Sequence, residues 1–470
     1  MDWLRFTPEL VLLAAAALFF AMACTTPEPR RTYTLAVSLA AAVAVVGVAS
    51  TPLSGMLFNH AYRVDRFSQV FKAILAIGYF LVIVTWDEVE EGAAHQAEGY
   101  FLLSISTLSM MMLSSAVHFV AVVLALELSS YSLYLLVFMR RKRRWGMVAG
   151  LRYFLVGASV SAVMLFGLAL LYAATGSMHV DRLSEVLPGM LDQPVVAVGL
   201  MLTLAGFFFK LAVFPFHFWA PDAYQGAPNP VAAFIAAVSK VAAVAIVLRV
   251  LAMAHGGSDL LVRGMIAMAV VSMTVGNLAA IAQKDFKRMM AFSSIAHAGY
   301  LLLAMLCMSR AGYTAAMFYG AAVMVLKFTC FMVMIRVAAD GRNLQIGELA
   351  GLHQREPLLA LALMMALFGL GGIPPTIGFA GKLFIFVAAM EKGYLALVII
   401  AMVNVVVSLY YYLLVLKAAY LDEPAAPAAA IDLAVGDRLV ALVMIVLIVG
   451  VGFYPTLLLD WVQSAVASLV

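Results

Sequence analysis

Charge is what this sequence has least of. Lys, Arg, Asp and Glu make up 11% of its 470 residues, where an ordinary globular chain carries roughly 25%. Cysteine is scarce as well. Cys24, Cys307 and Cys330 lie far apart, in or beside apolar runs, and no CxxC or HExxH occurs. That spacing argues against a metal, haem or iron–sulfur site, and the three thiols read as small apolar packing residues. The first apolar stretch lacks a basic flank followed by a small-residue cleavage site, so it reads as a span and not as a cleavable signal. A soluble catalytic domain is missing too. The longest polar connections, around Asp87 to Glu98, Gly176 to Gln193, Ala338 to Glu356 and Leu421 to Asp437, are too short for one.

What fills the chain is hydrophobic sequence, 65% of it. Apolar runs of about 18 residues or more recur from end to end, the pattern of helices crossing a bilayer. About fourteen spans are expected, starting near Pro8, Tyr33, Ser68, Tyr100, Val117, Val148, Val195, Pro230, Asp259, Met289, Ala311, Pro357, Tyr394 and Leu439. Backbone polar groups must be satisfied internally in lipid, and these runs are too long for barrel strands, so the expected fold is all-α and polytopic. Basic clusters follow the first, fifth and ninth spans: Arg30-Arg31, Arg140 to Arg144 and Lys284 to Arg288. They share one side if the spans alternate, and the positive-inside rule makes that side cytoplasmic. Both termini are then expected on the outer face. The clusters read as solvated loops, with no nucleic-acid partner.

Proline inside a helix removes a backbone bond and breaks or kinks it. The chain does this at depth twice: in "FPFHFWAP", with Pro215 and Pro221, and in "GLGGIPPTIGFAGK", with Pro374 and Pro375. These fall in the seventh and twelfth spans, five apart. Broken helices at corresponding positions mark an inverted-repeat transporter, with spans four to eight and nine to thirteen as the two five-helix halves. The plainer alternative is the general frequency of proline in membrane helices. Expected units are residues 1–99 (three helices and an acidic loop), 100–256 and 257–420 (the repeats), and 421–470 (a loop and the last helix). The glycines before Lys382 do not make a phosphate loop, because Thr376 and Leu383 stand where Gly and Ser/Thr are required. They suit close helix approach.

Six costly polar residues interrupt the apolar runs: Glu127, Lys210, Lys240, His297, Lys327 and Lys382. A charge at a helix centre costs about 2.5–3.5 kcal/mol on insertion scales. Such residues usually face the bundle interior and mark ion paths; snorkelling or a structural ion pair is the alternative for any single one. A low dielectric disfavours an ammonium and a nearby carboxylate favours it, so a lysine held between the two can take and release a proton. Glu127 is the expected carboxylate partner of Lys210. Arg152 cannot relay a proton; it is expected to set a fixed positive field near Glu127, to pair with it, or to anchor the interface.

The stretches "LELSSYSLYLLV", "LRYFLVGA", "FFFKLAVFPFHFWAPDAYQGAPNPVAAFIAAVSKVAA", "QKDFKRMMAFSSIAHAGY" and "GIPPTIGFAGKLFIF" closely resemble a known family. It comprises the antiporter-like membrane subunits of respiratory complex I, the proton-translocating NADH:quinone oxidoreductase, and their relatives in multisubunit cation/proton antiporters. The segment Tyr224 to Pro228 resembles the subunit N branch. The resemblance spans nearly the whole chain and is weakest in the first three spans. It implies that Glu127 is the acid of the fifth span, Lys210 its partner, Lys240 the central lysine of the eighth span and Lys382 the lysine of the twelfth, with His297 on the polar axis between the halves. Two positions depart from the branch: Arg152 stands where lysine is usual, and Lys327 where a neutral polar residue is common. The resemblance further implies no cofactor in this subunit, with NADH, FMN, iron–sulfur clusters and quinone in others. It implies partner subunits of the membrane arm, sister antiporter-like chains among them, within the lipid of a bacterial inner membrane. A sodium/proton antiporter subunit, a subunit of a hydrogenase-type complex and an inert scaffold are the competing readings.

Overall fold

The computed structural model describes residues 3–25, 28–86, 95–139, 144–254, 258–424 and 430–469. The basic residues at 140–143 and most of the expected acidic loop lie outside the described residues. The chain is helical nearly throughout. Its helices are α1 (Thr7–Ala23), α2 (Pro29–Ala49), α3 (Arg66–Thr85), α4 (Gln96–Ser115), α5 (Phe119–Phe138), α6 (Arg144–Thr175), the short α7 (Val180–Val186), α8 (Pro194–Leu211), α9 (Trp219–Gly226) and α10 (Asn229–Met253). They continue as α11 (Asp259–Ile281), α12 (Phe286–Met305), α13 (Arg310–Val337), the one-turn α14 (Leu352–Arg355), α15 (Pro357–Gly371), α16 (Ile377–Glu391), α17 (Leu395–Tyr420), α18 (Val435–Phe453) and α19 (Thr456–Ala467). Among the described residues eleven helices are long and apolar enough to cross a membrane. Adding α4, α12 and the α15–α16 pair, and counting α8 with α9 as one span, gives the expected fourteen. Two elements were not foreseen: an antiparallel hairpin of β1 (Gly55–Leu57) and β2 (Tyr62–Val64), and the amphipathic α19, which packs on α3 and α13.

The centre of the bundle is α10 against α13, both almost wholly buried. In α10 the run "AAFIAAVSKVAAVAIV" explains why it can sit there, since small side chains let neighbouring backbones approach in a membrane. Helices α6, α11, α17 and α18 bury only a third or so of their length and turn large apolar side chains outward, as a lipid-facing surface requires.

The two breaks match in detail. Helix α8 ends with Ala212 in the left-handed region (φ 63°) and α15 with Gly372 (φ 82°). In each the following amide folds back, Val213 N–H to the Phe208 carbonyl and Ile373 N–H to that of Phe368, both at 2.9 Å. Each is followed by a cis peptide bond, at Pro215 and at Pro375. All these pairs are 160 residues apart. The breaks are the same structure twice, as a repeat demands.

Candidate functional site

A helix that stops inside the bilayer leaves carbonyls without intrahelical partners, and here lysines bond to them. In the first half Trp219 Nε1 donates to the Phe209 carbonyl (2.9 Å) and Lys240 Nζ to the Lys210 carbonyl (3.0 Å). Lys240 also stands over the Trp219 ring, 5.0 Å from its centroid. In the second half Lys382 Nζ donates to Leu370 O (2.7 Å) and Gly371 O (3.1 Å) and stands 5.2 Å from the Tyr300 ring centroid. Leu370 is 160 residues beyond Lys210, so an ammonium meets the same carbonyl of the broken helix in both copies. A cation at a helix C-terminus is favoured by the helix dipole. The ammonium comes from α10 in one copy and from α16 in the other.

Lys210 itself, 3% exposed, lies in the last turn of α8 and donates to Ser129 Oγ on α5. The expected ion pair with Glu127 is not a contact. Glu127 is half-buried and accepts from Ser161 Oγ of α6 at 2.5 Å. Residues two apart on a helix do not share a face, so with Ser129 turned to Lys210, Glu127 turns to α6. Its charge acts on Lys210 through space. Arg152 is not its partner either. Arg152 pairs with Asp222 (2.6 Å), whose other oxygen takes Arg288 (2.8 Å), so Asp222 of α9 clamps α6 to α12.

Within the second half runs a continuous chain of polar groups. Lys327 Nζ, wholly buried, donates to Met290 O (2.9 Å) and Ser293 Oγ (2.7 Å). Ser293 and the Tyr412 hydroxyl are 2.5 Å apart, Tyr412 is 3.1 Å from His297 Nε2, and His297 Nδ1 is 2.7 Å from the Tyr319 hydroxyl. Lys240 lies within electrostatic range of both Lys210 and Lys327, and His297 within that of Lys327 and Lys382. The structure therefore brings five of the six expected residues into one buried row, Lys210, Lys240, Lys327, His297 and Lys382, with Glu127 at its edge.

The sequence reading missed other buried charges. Lys287, in the cluster read as a solvated loop, is 0% exposed and donates to Ala227 O (2.8 Å) and Asn229 Oδ1 (2.9 Å). Of that cluster Lys284 alone is exposed and Arg288 is half-buried. Helix α12 starts just after Asp285, so Lys287 already belongs to the bundle. Glu9 with Lys72, and Asp65 with Arg249, form two further buried pairs. Their signal was present as single charges inside the first, third and eighth apolar runs. Cys307 and Cys330 are buried as expected of packing residues, whereas Cys24 is exposed.

The family model described as NADH:quinone oxidoreductase/Mrp antiporter, TM, matches residues 116–408. The chain belongs to this family. Among its relatives, NADH-quinone oxidoreductase subunit N 2 of Syntrophobacter fumaroxidans is 52% identical over 472 residues, covering 100% of both chains. A chain of respiratory complex I from Thermus thermophilus superposes with a TM-score of 0.85 at 32% identity, over 96% of this chain and 98% of that one. A chain of the Mrp complex from Dietzia sp. superposes with a TM-score of 0.87 at 21% identity, over 100% and 98%, a likeness of fold. In all three the match runs nearly end to end, so the family's architecture covers the N-terminal helices as well as the repeats.

Proposed function

We propose that this chain is the subunit N-type proton-translocating subunit in the membrane arm of an NADH:quinone oxidoreductase. It couples quinone reduction elsewhere in the complex to proton transfer through its buried lysines. The observation that carries this reading is the row from Lys210 to Lys382, which crosses both helix breaks without reaching lipid. Neighbouring ammonium groups in a low dielectric repel strongly, so a proton arriving at one position favours release from the next. Hydroxyls of Ser293 and Tyr412 sit between Lys327 and His297, those of Ser129 and Tyr319 contact Lys210 and His297, and all both donate and accept. Moving one charge across the membrane opposes about 2.3 kcal/mol per 100 mV, so the driving force must come from the redox part of the assembly. In this reading NADH, FMN, iron–sulfur clusters and quinone belong to other subunits, and sister antiporter-like chains and lipid surround this one. The membrane is the bacterial inner membrane with both termini outside. The repeats occupy residues 100–256 and 257–420.

The test is proton translocation per electron pair by the intact complex in sealed vesicles. Lys240→Met, which removes the link between the halves, is expected to abolish the flux through this chain. Lys327→Met is expected to act alike, because Lys327 is the donor to the Ser293–Tyr412–His297 chain. Wild-type translocation in both would leave the lysines as inert structural charges.

Glu127→Gln should assemble normally, since the amide can still accept from Ser161, while translocation falls because the charge acting on Lys210 is gone. A wild-type proton-to-electron ratio in this variant would make Glu127 an interfacial anchor only.

A further inference from the structure

Glu9 of α1 and Lys72 of α3 are both 0% exposed and 2.8 Å apart, outside the residues matched by the family model. Tyr62 of β2 donates to the same carboxylate oxygen, Oε1, at 2.6 Å, and Lys72 Nζ lies 5.0 Å from the Tyr62 ring centroid. The other oxygen, Glu9 Oε2, is buried with no hydrogen-bond partner among the described residues. Purely structural ion pairs in an apolar interior need their remaining lone pairs satisfied. This one leaves an acceptor open.

Two more charges face the pair. Asp65, at the start of α3, holds Arg249 of α10 through bonds of 3.1–3.2 Å, and Arg249 also donates to the Ser114 carbonyl (3.0 Å). Helix α4 contributes only polar neutral groups at this level, Ser114 and, beside Tyr62, Ser115. Helix α2, packed on α3, has its charges only at its far end, Arg30 and Arg31. The four buried groups sum to zero charge. A proton passing from Lys72 Nζ to Glu9 breaks one N–H bond and makes one O–H bond, turning the ion pair into a neutral acid–amine pair at unchanged net charge. The pair can then hold one further proton, on the Glu9 carboxylate, and later give it up.

Helix α4 spans the distance between this pair and the row, and its buried hydroxyls each donate to a backbone carbonyl, Thr107 to Leu103, Ser109 to Ile105 and Ser114 to Met111. Lys210 donates to Ser129 Oγ, and Ser106 Oγ of α4 donates to the Ser129 carbonyl at 3.2 Å. From there α4 carries buried Ser106, Thr107, Ser109, Ser114 and Ser115. At about 1.5 Å per residue the climb from Ser106 to Ser115 is about 14 Å. Glu9 lies in the first turn of α1, so the end of the bundle is close by.

We propose that the Glu9–Lys72 pair is a second proton-holding site of the translocation path, which releases its proton at the end of the bundle where α1 and α3 begin. This rests on the reading of the chain as a proton translocator. The experiment compares Glu9→Gln, the double variant Glu9→Gln/Lys72→Met, and Lys240→Met in the intact complex in sealed vesicles. Both Glu9 variants are expected to keep electron transfer and to lose translocated protons per electron pair. The double variant leaves no unpaired charge, so a merely structural pair would be replaced there without loss of coupling. Wild-type coupling in either variant, with Lys240→Met uncoupled, overturns the proposal and leaves the functional reading intact. Wild-type coupling in Lys240→Met as well overturns that reading. Should neither Glu9 variant assemble, Glu9→Asp, which keeps the acid, decides. Its carboxylic-acid infrared band on quinone reduction must be shifted from that of the wild type, and an unshifted band overturns the proposal.

Discussion

Lys210→Arg is expected to give an assembled complex that oxidises NADH but translocates few protons through this chain. The guanidinium keeps a positive charge near Glu127 and a donor for Ser129, and the backbone carbonyl that accepts from Lys240 is untouched by the substitution. Proton release is what is lost. A group with a pKa above about 12 is deprotonated less than about one time in 10⁵ at neutral pH. Lys210→Met should be at least as uncoupled. Its assembly should also survive, because Glu127 retains Ser161 as a donor and is not stranded when the ammonium goes. Complex yield and protons per electron pair, measured on both variants, check this. An arginine variant that translocates like wild type would show that Lys210 is a fixed charge.

Gly378→Ala should instead prevent accumulation of the complex. Gly378 sits in the first turn of α16, where an added Cβ would fall on the carbonyl oxygen of Gly369 in α15. Backbone meets backbone there, so no rotamer change relieves the overlap. Overpacking of this kind costs about 1–3 kcal/mol and at times more, and at a joint between two backbones the upper end is expected. About 3 kcal/mol is roughly a hundredfold in the equilibrium. Gly436→Ala, with open space around the added carbon and no left-handed backbone, is the control and should change stability by no more than about 0.5 kcal/mol. Normal yield of Gly378→Ala in membranes would refute the tight joint. The same joint fixes the Leu370 and Gly371 carbonyls that receive Lys382, so a partly assembled variant should also be poorly coupled.

The sequence by itself determined the helical membrane fold, the positions of the apolar spans, the two breaks and which charges lie inside those spans. Each of these follows from a local rule: apolar length against bilayer thickness, proline against the helix ladder, and the cost of a charge in lipid. Glycines before Lys382 were rightly read as allowing close approach, because only a residue without Cβ fits where Gly378 meets Gly369.

Only the tertiary structure decided which groups touch. Glu127 and Ser129 are two residues apart, and which of them faces Lys210 depends on the rotation of α5 against α8 and α6, which no local pattern sets. Arg152 found Asp222 across 70 residues, and Lys327 found Ser293 on a neighbouring helix. Lys72 and Arg249 stood in plain view as charges inside apolar runs, yet their partners Glu9 and Asp65 lie 63 and 184 residues away in the chain. Hydrophobicity specifies that a helix crosses the membrane. In lipid, which is as apolar as the side chains, the choice of neighbour and of rotation falls to close packing and polar contacts, and those exist only once the bundle is assembled.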